Sequence, residues 1–355
     1  MRPPRAAFAI PGDLDSTTGG YFYDRRVIAG LRALGREVHH LPLGASFPDP
    51  TRADTEDAAR QLAAVPADCP VIVDGLALGA LDPAALQGMT APMVAMVHHP
   101  LALETGLSPA RRDHLSRTEK TNLAHAAHIL VPSPRTAEVV MGEYGVTEER
   151  LTVARPGTDR KPCRRSPIDP PLILSVGIQV PRKGHDVLLR ALAGLTDRPW
   201  QAAIVGAAQD PACAADLAAL VDRLGLAGRV RLTGRIDDAA LGRLYAEASV
   251  FALATRHEGY GIVFDEAMMH GLPIVTCRVG AVPDTVDKGA GLLVPPDDPD
   301  AFSGALARVL DHGPTRAAMA AASAVAGRRL PGWDSTAQVI DAVLTRAARG
   351  LHARG

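Results

Sequence analysis

The feature that most limits how this chain can fold is its rhythm. Short apolar runs alternate with longer stretches of helical period along nearly the whole length. In the first half, strand-like runs fall at 6–10, 37–41, 71–74, 93–97 and 129–131, with helical stretches such as 21–34, 55–64 and 111–127 between them. In the second half, the runs fall at 172–176, 202–205, 230–232, 250–253, 274–276 and 291–294, again separated by helical stretches. This alternation is the signature of an α/β fold. It breaks once, between Pro156 and Pro171, where five prolines in sixteen residues exclude a helix or an inner strand.

The expectation is therefore two doubly wound, Rossmann-like domains facing each other across a cleft. The first covers 1–160 and the second 172–330, joined by a proline-rich linker at 161–171. The tail, 331–355, carries one more helix at about 335–349, with Val339, Ile340, Val343 and Leu344 on one face, able to pack back on the first domain.

Composition narrows the function classes. The chain has 355 residues, 47% hydrophobic and 22% charged, with a net charge of −1, so nothing points to nucleic acid. No apolar run approaches the roughly 20 residues that span a bilayer. The first residues lead straight into a strand pattern, which predicts no cleaved leader. The cysteines, Cys69, Cys163, Cys213 and Cys277, form no C-x-x-C pair, which fits a reducing compartment rather than a disulfide framework or a zinc site. The expected location is the cytoplasm, with peripheral contact at the inner membrane face left open. Arg111, Arg112, Arg117 and Lys120, mixed with Asp113 and Glu119, read as a solvated helix face rather than a membrane patch.

The chemistry concentrates in His257-Glu258-Gly259-Tyr260-Gly261, followed by an apolar helix start carrying Asp265 and Glu266. Glycines at the carboxyl end of a strand bring backbone N–H groups and a helix N-terminus to an anion. The carboxylates accept from hydroxyls. Phosphate at one end and hydroxyls at the other describe a sugar nucleotide. Arg182 and Lys183 stand before the helix predicted at 186–195, suited to a pyrophosphate. In the first half, His98 and His99 end the strand at 93–97, and Thr18-Gly19-Gly20-Tyr21 links the first strand to the first helix. Asp13 and Asp15 have the look of a metal site, and His125 and His128 have zinc-like spacing, but the first pair follows the wrong strand and the second lacks a third ligand.

These residues carry a resemblance. Ser175-Val176-Gly177 with Pro181-Arg182-Lys183-Gly184, then Val230-Arg231-Leu232-Thr233-Gly234, Glu258-Gly259-Tyr260-Gly261, Asp265-Glu266-Ala267-Met268 and Val279-Gly280-Ala281-Val282-Pro283 resemble, in order and spacing, the donor-binding domain of family-four retaining glycosyltransferases of the GT-B fold. The resemblance implies transfer of a sugar from a UDP- or GDP-sugar to a glycan, glycolipid or small-molecule acceptor, without metal or cofactor. It implies that Lys183, Arg182 and the Gly259–Gly261 loop, with Tyr260, hold the donor diphosphate. Glu258 would take donor sugar hydroxyls and Glu266 the ribose, while His98 orients the donor sugar. Gly19 and Gly20 would approach the diphosphate or the acceptor. One position departs from the family: Ile178 stands where an arginine is common, so Arg182 supplies that charge or the diphosphate grip is weaker. A sugar-nucleotide epimerase or hydrolase of the same fold, and a non-catalytic sugar-nucleotide-binding protein, are the competing readings.

Overall fold

The computed structural model describes residues 4–16, 18–159 and 164–352. Part of the expected linker therefore lies outside the described residues. The chain divides into two compact units, Met1–Gly157 with Pro331–Gly355, and Thr158–Leu330.

In the first unit the order is β1 (Arg5–Pro11), α1 (Gly19–Ala33), β2 (Glu37–Leu43), α2 (Arg52–Ala63), β3 (Val71–Asp74), α3 (Gly75–Leu78), β4 (Met93–Met96), α4 (Pro109–His125), β5 (His128–Val131), α5 (Pro134–Tyr144) and β6 (Leu151–Val153). The strands form one sheet ordered β2-β1-β3-β4-β5-β6 with every pair parallel. Alternation along β1 sends Ala6, Phe8 and Ile10 to one core and Ala7 and Ala9 to another, so both faces of the sheet are covered. On the first face lie Tyr23, Val27, Ile28 and Leu31 of α1, at helical spacing. The sequence reading missed β6. It is only three residues long, half-buried, and lies at the sheet edge, too short to stand out as a run.

The second unit holds β7 (Leu172–Val176), α6 (His185–Ala193), β8 (Gln201–Val205), α7 (Pro211–Arg223), β9 (Val230–Gly234), α8 (Asp238–Glu247), β10 (Ala248–Leu253), α9 (Ile262–Met269), β11 (Ile274–Cys277), α10 (Val282–Thr285), β12 (Gly291–Val294), α11 (Pro299–Asp311) and α12 (Gly313–Arg329). Its parallel sheet is ordered β12-β11-β10-β7-β8-β9. The chain winds outward in opposite directions from the central pair β7 and β10. Such a reversal opens a crevice at the carboxyl ends of those strands. The corresponding reversal in the first unit lies between β1 and β3.

The closing helix α13 (Trp333–His352) belongs to the first unit and packs on α1. A Cβ on Gly30 would come within 2.6 Å of the Ala337 Cβ, so glycine permits this close approach. Arg36, almost fully buried, donates to Asp341 at 2.6 Å and to Thr345 at 2.9 Å. Ile340, Val343 and Leu344 are buried as the pattern indicated, but Val339 is 37% exposed. It lies about 100° from Ile340 around the helix, off the buried stripe.

Candidate functional site

The second unit's cluster forms where the two central strands end. After β7, Gly177 leaves room for the Lys183 stem, whose Cδ would lie 3.2 Å from a Cβ there. Gly184, at φ +63°, starts α6, and a Cβ on it would meet the Ala254 carbonyl at 1.9 Å. Only glycine permits that contact, which brings the Arg182-Lys183 turn against the exit of β10. Lys183 Nζ then donates to Glu258 Oε1 at 2.7 Å, and Arg182 Nη1 stands 4.0 Å from Oε2. Arg182 also donates to the His257 carbonyl at 3.2 Å. Burial pushes the Glu258 carboxyl up, but the Lys183 and Arg182 charges more than reverse this, leaving it below its ordinary value.

Residues outside the sequence prediction brace this loop. Arg256 forms a two-pronged pair with Asp186, both contacts at 2.9 Å, and a third contact with Asp297 at 2.7 Å. Thr255, fully buried, holds its hydroxyl 3.1 Å from both the Arg182 and the His257 carbonyls, which share its one hydrogen. Gly280, at φ +48°, lets Ala281 N–H reach the Glu258 carbonyl at 2.9 Å. The pairing of Arg256 with an acid seventy positions earlier leaves no sequence signal.

Gly261, at φ +91°, caps α9 without a side-chain hydrogen bond. Tyr260 turns inward, donating to buried Asp265 at 2.6 Å, so its phenol shapes the loop. Glu266 lies one turn into α9, half-buried, and accepts from Tyr245 Oη at 2.7 Å. Tyr245 is buried and stacks on His270 with ring centroids 4.8 Å apart. Ile178 is half-buried.

The first unit's cluster also lies at strand ends. His98 follows β4, and its ring covers Gly20, where a Cβ would meet Cδ2 at 3.4 Å. His98 Nε2 stands 3.1 Å from Asp24 Oδ1 and 3.3 Å from Asp74 Oδ2. Both carboxylates are buried, while the His98 side chain is 21% exposed. Burial alone would lower the imidazole, but Asp24 and then Asp74 override it and raise it to about 10. The Asp24 carboxyl is itself raised by burial. Tyr23 meets the ring edge-on at 5.2 Å. Asp74 closes β3, and its other oxygen accepts from Leu76 N–H at 2.8 Å. The sequence reading missed both aspartates, although Asp74 ends a strand and Asp24 falls on the buried stripe of α1.

The neighbouring His99 pairs with Glu104 at 3.2 Å. Glu119, read from sequence as solvated, is buried and accepts from Leu101 N–H at 3.1 Å, which anchors the segment after the two histidines. Among the described residues, Asp24, Asp74 and His98 are the group whose donor atoms lie close enough, within 4.8 Å, to hold a metal ion. Asp13 and Asp15 instead form a local turn.

Helix starts separate these places from the rest. Ser, Thr, Asp or His side chains cap α2, α4, α5, α7, α8, α11 and α12. Among the described caps of helices of eight or more residues, α1, α6 and α9 have no such bond. These three follow β1, β7 and β10, three of the four strands that flank the reversals. Their first-turn N–H groups are left by side-chain caps for another acceptor.

Known proteins give the family and the fold. The family model described as glycosyl transferases group 1 matches residues 170–312, and that for glycosyltransferase family 4 matches residues 20–161. A D-inositol 3-phosphate glycosyltransferase of Xylanimonas cellulosilytica is 32% identical over 64% of this chain and 59% of its own length. An MMP alpha-(1->4)-mannosyltransferase of Mycolicibacterium hassiacum is 30% identical over 75% of this chain and 68% of its own. The match thus spans about three-fifths to two-thirds of these relatives' lengths. A sucrose-phosphate synthase from Thermosynechococcus elongatus shares the fold, with a TM-score of 0.84 at 21% identity, over 99% of this chain and 100% of the other. Two six-stranded parallel sheets flanked by helices are the GT-B architecture. The chain belongs to the group 1 glycosyltransferases.

Proposed function

We propose that the protein is a retaining glycosyltransferase that moves a sugar from a UDP- or GDP-sugar to a hydroxyl of a glycan, glycolipid or small-molecule acceptor, without a metal. The observation that carries this reading is the 2.7 Å pair of half-buried Lys183 with buried Glu258, beside the starts of α6 and α9 that lack side-chain caps, at the reversal of the second sheet. Lys183 and Arg182, with those N–H groups, neutralise the diphosphate as negative charge builds on it during departure. Glu258, held ionised by the same cations, accepts from donor sugar hydroxyls when the diphosphate draws Lys183 away. Glu266 takes the ribose diol, and Tyr245 fixes its carboxylate. Gly19 and Gly20 keep the start of α1 open to a phosphate or to the acceptor. His98 hydrogen-bonds the transferred sugar.

No residue in the second unit's cluster is assigned as a covalent nucleophile. The leaving diphosphate oxygen takes the acceptor's proton on the face from which it departs, which retains configuration at the anomeric carbon. The absence of a membrane-spanning helix among the described residues is compatible with the expected cytoplasmic location.

The test is a donor screen. UDP-, GDP- and ADP-sugars are offered with and without a panel of hydroxyl acceptors in the presence of a chelator, and product configuration is read by NMR. Transfer with retention of configuration supports the reading. Turnover of donor that never depends on acceptor would move the protein to the epimerase or hydrolase class. Nucleotide binding without turnover would make it a binding protein.

A further inference from the structure

We propose that Asp24 and Asp74 are positioning residues that clamp the His98 imidazole as a doubly paired cation. Nε2 is turned to the two carboxylates, and Nδ1 is left as the ring nitrogen that meets substrate. This inference rests on the reading that His98 serves the transferred sugar.

The argument is geometric. A single ring nitrogen lies 3.1 Å from one buried carboxylate oxygen and 3.3 Å from another. Where both carboxylates are ionised they only accept, and the nitrogen between them then carries the hydrogen. Two buried carboxyls this close are relieved by a shared proton or by a cation, and the imidazole within 3.3 Å of both is placed to be that cation. Three elements fix the ring. Helix α1 supplies Asp24 and the edge-on Tyr23, β3 supplies Asp74, and the segment after β4 supplies the histidine. A Cβ at Gly20 would meet Cδ2 at 3.4 Å, so the start of α1 also lies against the ring. The titratable groups facing this cluster are Asp24, Tyr21 and Tyr23 from α1, Asp74 from β3 and Asp13 from the β1–α1 loop, the last acting through Tyr21. His99 and Glu104, on the histidine's own segment, pair with each other.

A histidine clamped this way differs from an ordinary strand-end histidine. It offers a fixed, charged N–H donor across the neutral pH range, where a free imidazole would be mostly uncharged. Its orientation is paid for before substrate arrives, which favours catalysis over binding.

The test compares the parent with Asp24→Asn, Asp74→Asn and His98→Gln, using protein with isotope-labelled histidines. His98→Gln assigns the His98 ring signal. The ring should stay protonated from pH 6 to pH 9 in the parent, and its midpoint should fall by about one unit or more in either Asn variant, the size of shift a neighbouring charge produces. In donor turnover, each Asn variant should lower kcat by about tenfold to a hundredfold, the cost of a misplaced group, with donor KM little changed. The alkaline limb of the kcat profile should follow the ring's midpoint downward. The double variant Asp24→Asn/His98→Gln should be no slower than His98→Gln alone.

A parent ring that titrates near the ordinary histidine value, or one unmoved in both Asn variants, overturns the clamp. So does activity lost to a chelator and restored by Mn²⁺ in the parent alone, which would put an ion where the proton is assigned. If Asp24→Asn fails to fold, Asp74→Asn and the parent titration decide, because asparagine can still cap α3. If the parent turns over no donor at all, the transferase reading fails, while the ring titration still tests the clamp by itself.

Discussion

The two units carry the same kind of cluster with opposite charge. In the second, two cations, Lys183 and Arg182, converge on one buried carboxylate, Glu258. In the first, two buried carboxylates, Asp24 and Asp74, converge on one imidazole, His98. Both clusters sit at the carboxyl ends of strands beside a reversal of sheet order, and both adjoin a helix start without a side-chain cap. Topology thus chooses the location, and residue identity chooses the sign. A surplus of cations suits a diphosphate. A surplus of carboxylates suits the holding of a protonated ring. Burial makes both arrangements sensitive to losing a partner, since a remaining charge has no water to turn to.

The largest expected effect is a mirrored one. Removing the central or pairing cation, by Lys183→Met in the second unit or His98→Gln in the first, should cost roughly 3–5 kcal/mol of stability, as for other broken buried pairs. The pH trends should run in opposite directions. His98 has its value raised from 6.5 to about 10, so the folded cluster keeps a proton that the unfolded chain gives up. Its contribution is full below 6.5 and is lost as pH climbs toward 10. Glu258 is held below its ordinary 4.5, so its contribution is present above that value and is lost as pH falls through the lower folded value. Urea midpoints of parent and variants, measured from pH 3 to pH 10, check both signs. Parallel trends would break the comparison.

Turnover sharpens it next. Lys183→Met should cut kcat by about a hundredfold to a thousandfold, the usual loss when a group that stabilises departing charge is removed. A change confined to stability would leave Lys183 a structural ion. Gly184→Ala should follow, with a stability loss of about 1–3 kcal/mol from the strained φ alone and a raised donor KM as the turn carrying Lys183 moves off the Ala254 carbonyl. Donor titration by calorimetry reads the second part. The smallest effect is Tyr245→Phe, which removes the hydrogen bond to Glu266 and should weaken donor binding by roughly 0.5–1.5 kcal/mol without changing kcat. An unchanged KM would separate Glu266 from the ribose.

Much of this was legible in one dimension, and for a physical reason. Inner strands buried on both faces must be apolar throughout and stood out as runs; of the edge strands, β2, β9 and β12 kept enough apolar residues to be read, while β6, with three half-buried residues, did not. Glycines that permit a tight approach are marked by type, and Gly184, Gly261 and Gly280 each stand where the backbone needs a positive φ. Lys183 was legible because it adjoins Gly184, and Glu258 because it opens the Gly259–Gly261 loop, each at a strand end. Their partners were not. Asp24 lies 74 positions from His98, and Arg256 lies 70 from Asp186. Tyr245 reads as core until its hydroxyl is seen on Glu266.

The sequence by itself determined the α/β class, the two-part organisation and the residues whose chemistry depends on local backbone shape. Only the tertiary structure decided who pairs with whom. Periodicity and glycine placement act within a few residues, whereas charge balance in a buried cluster depends on which distant strands and helices the sheet order brings together. The aspartates around His98 show this most clearly: nothing local distinguishes them from other acids, and the reversal between β1 and β3 makes them its partners.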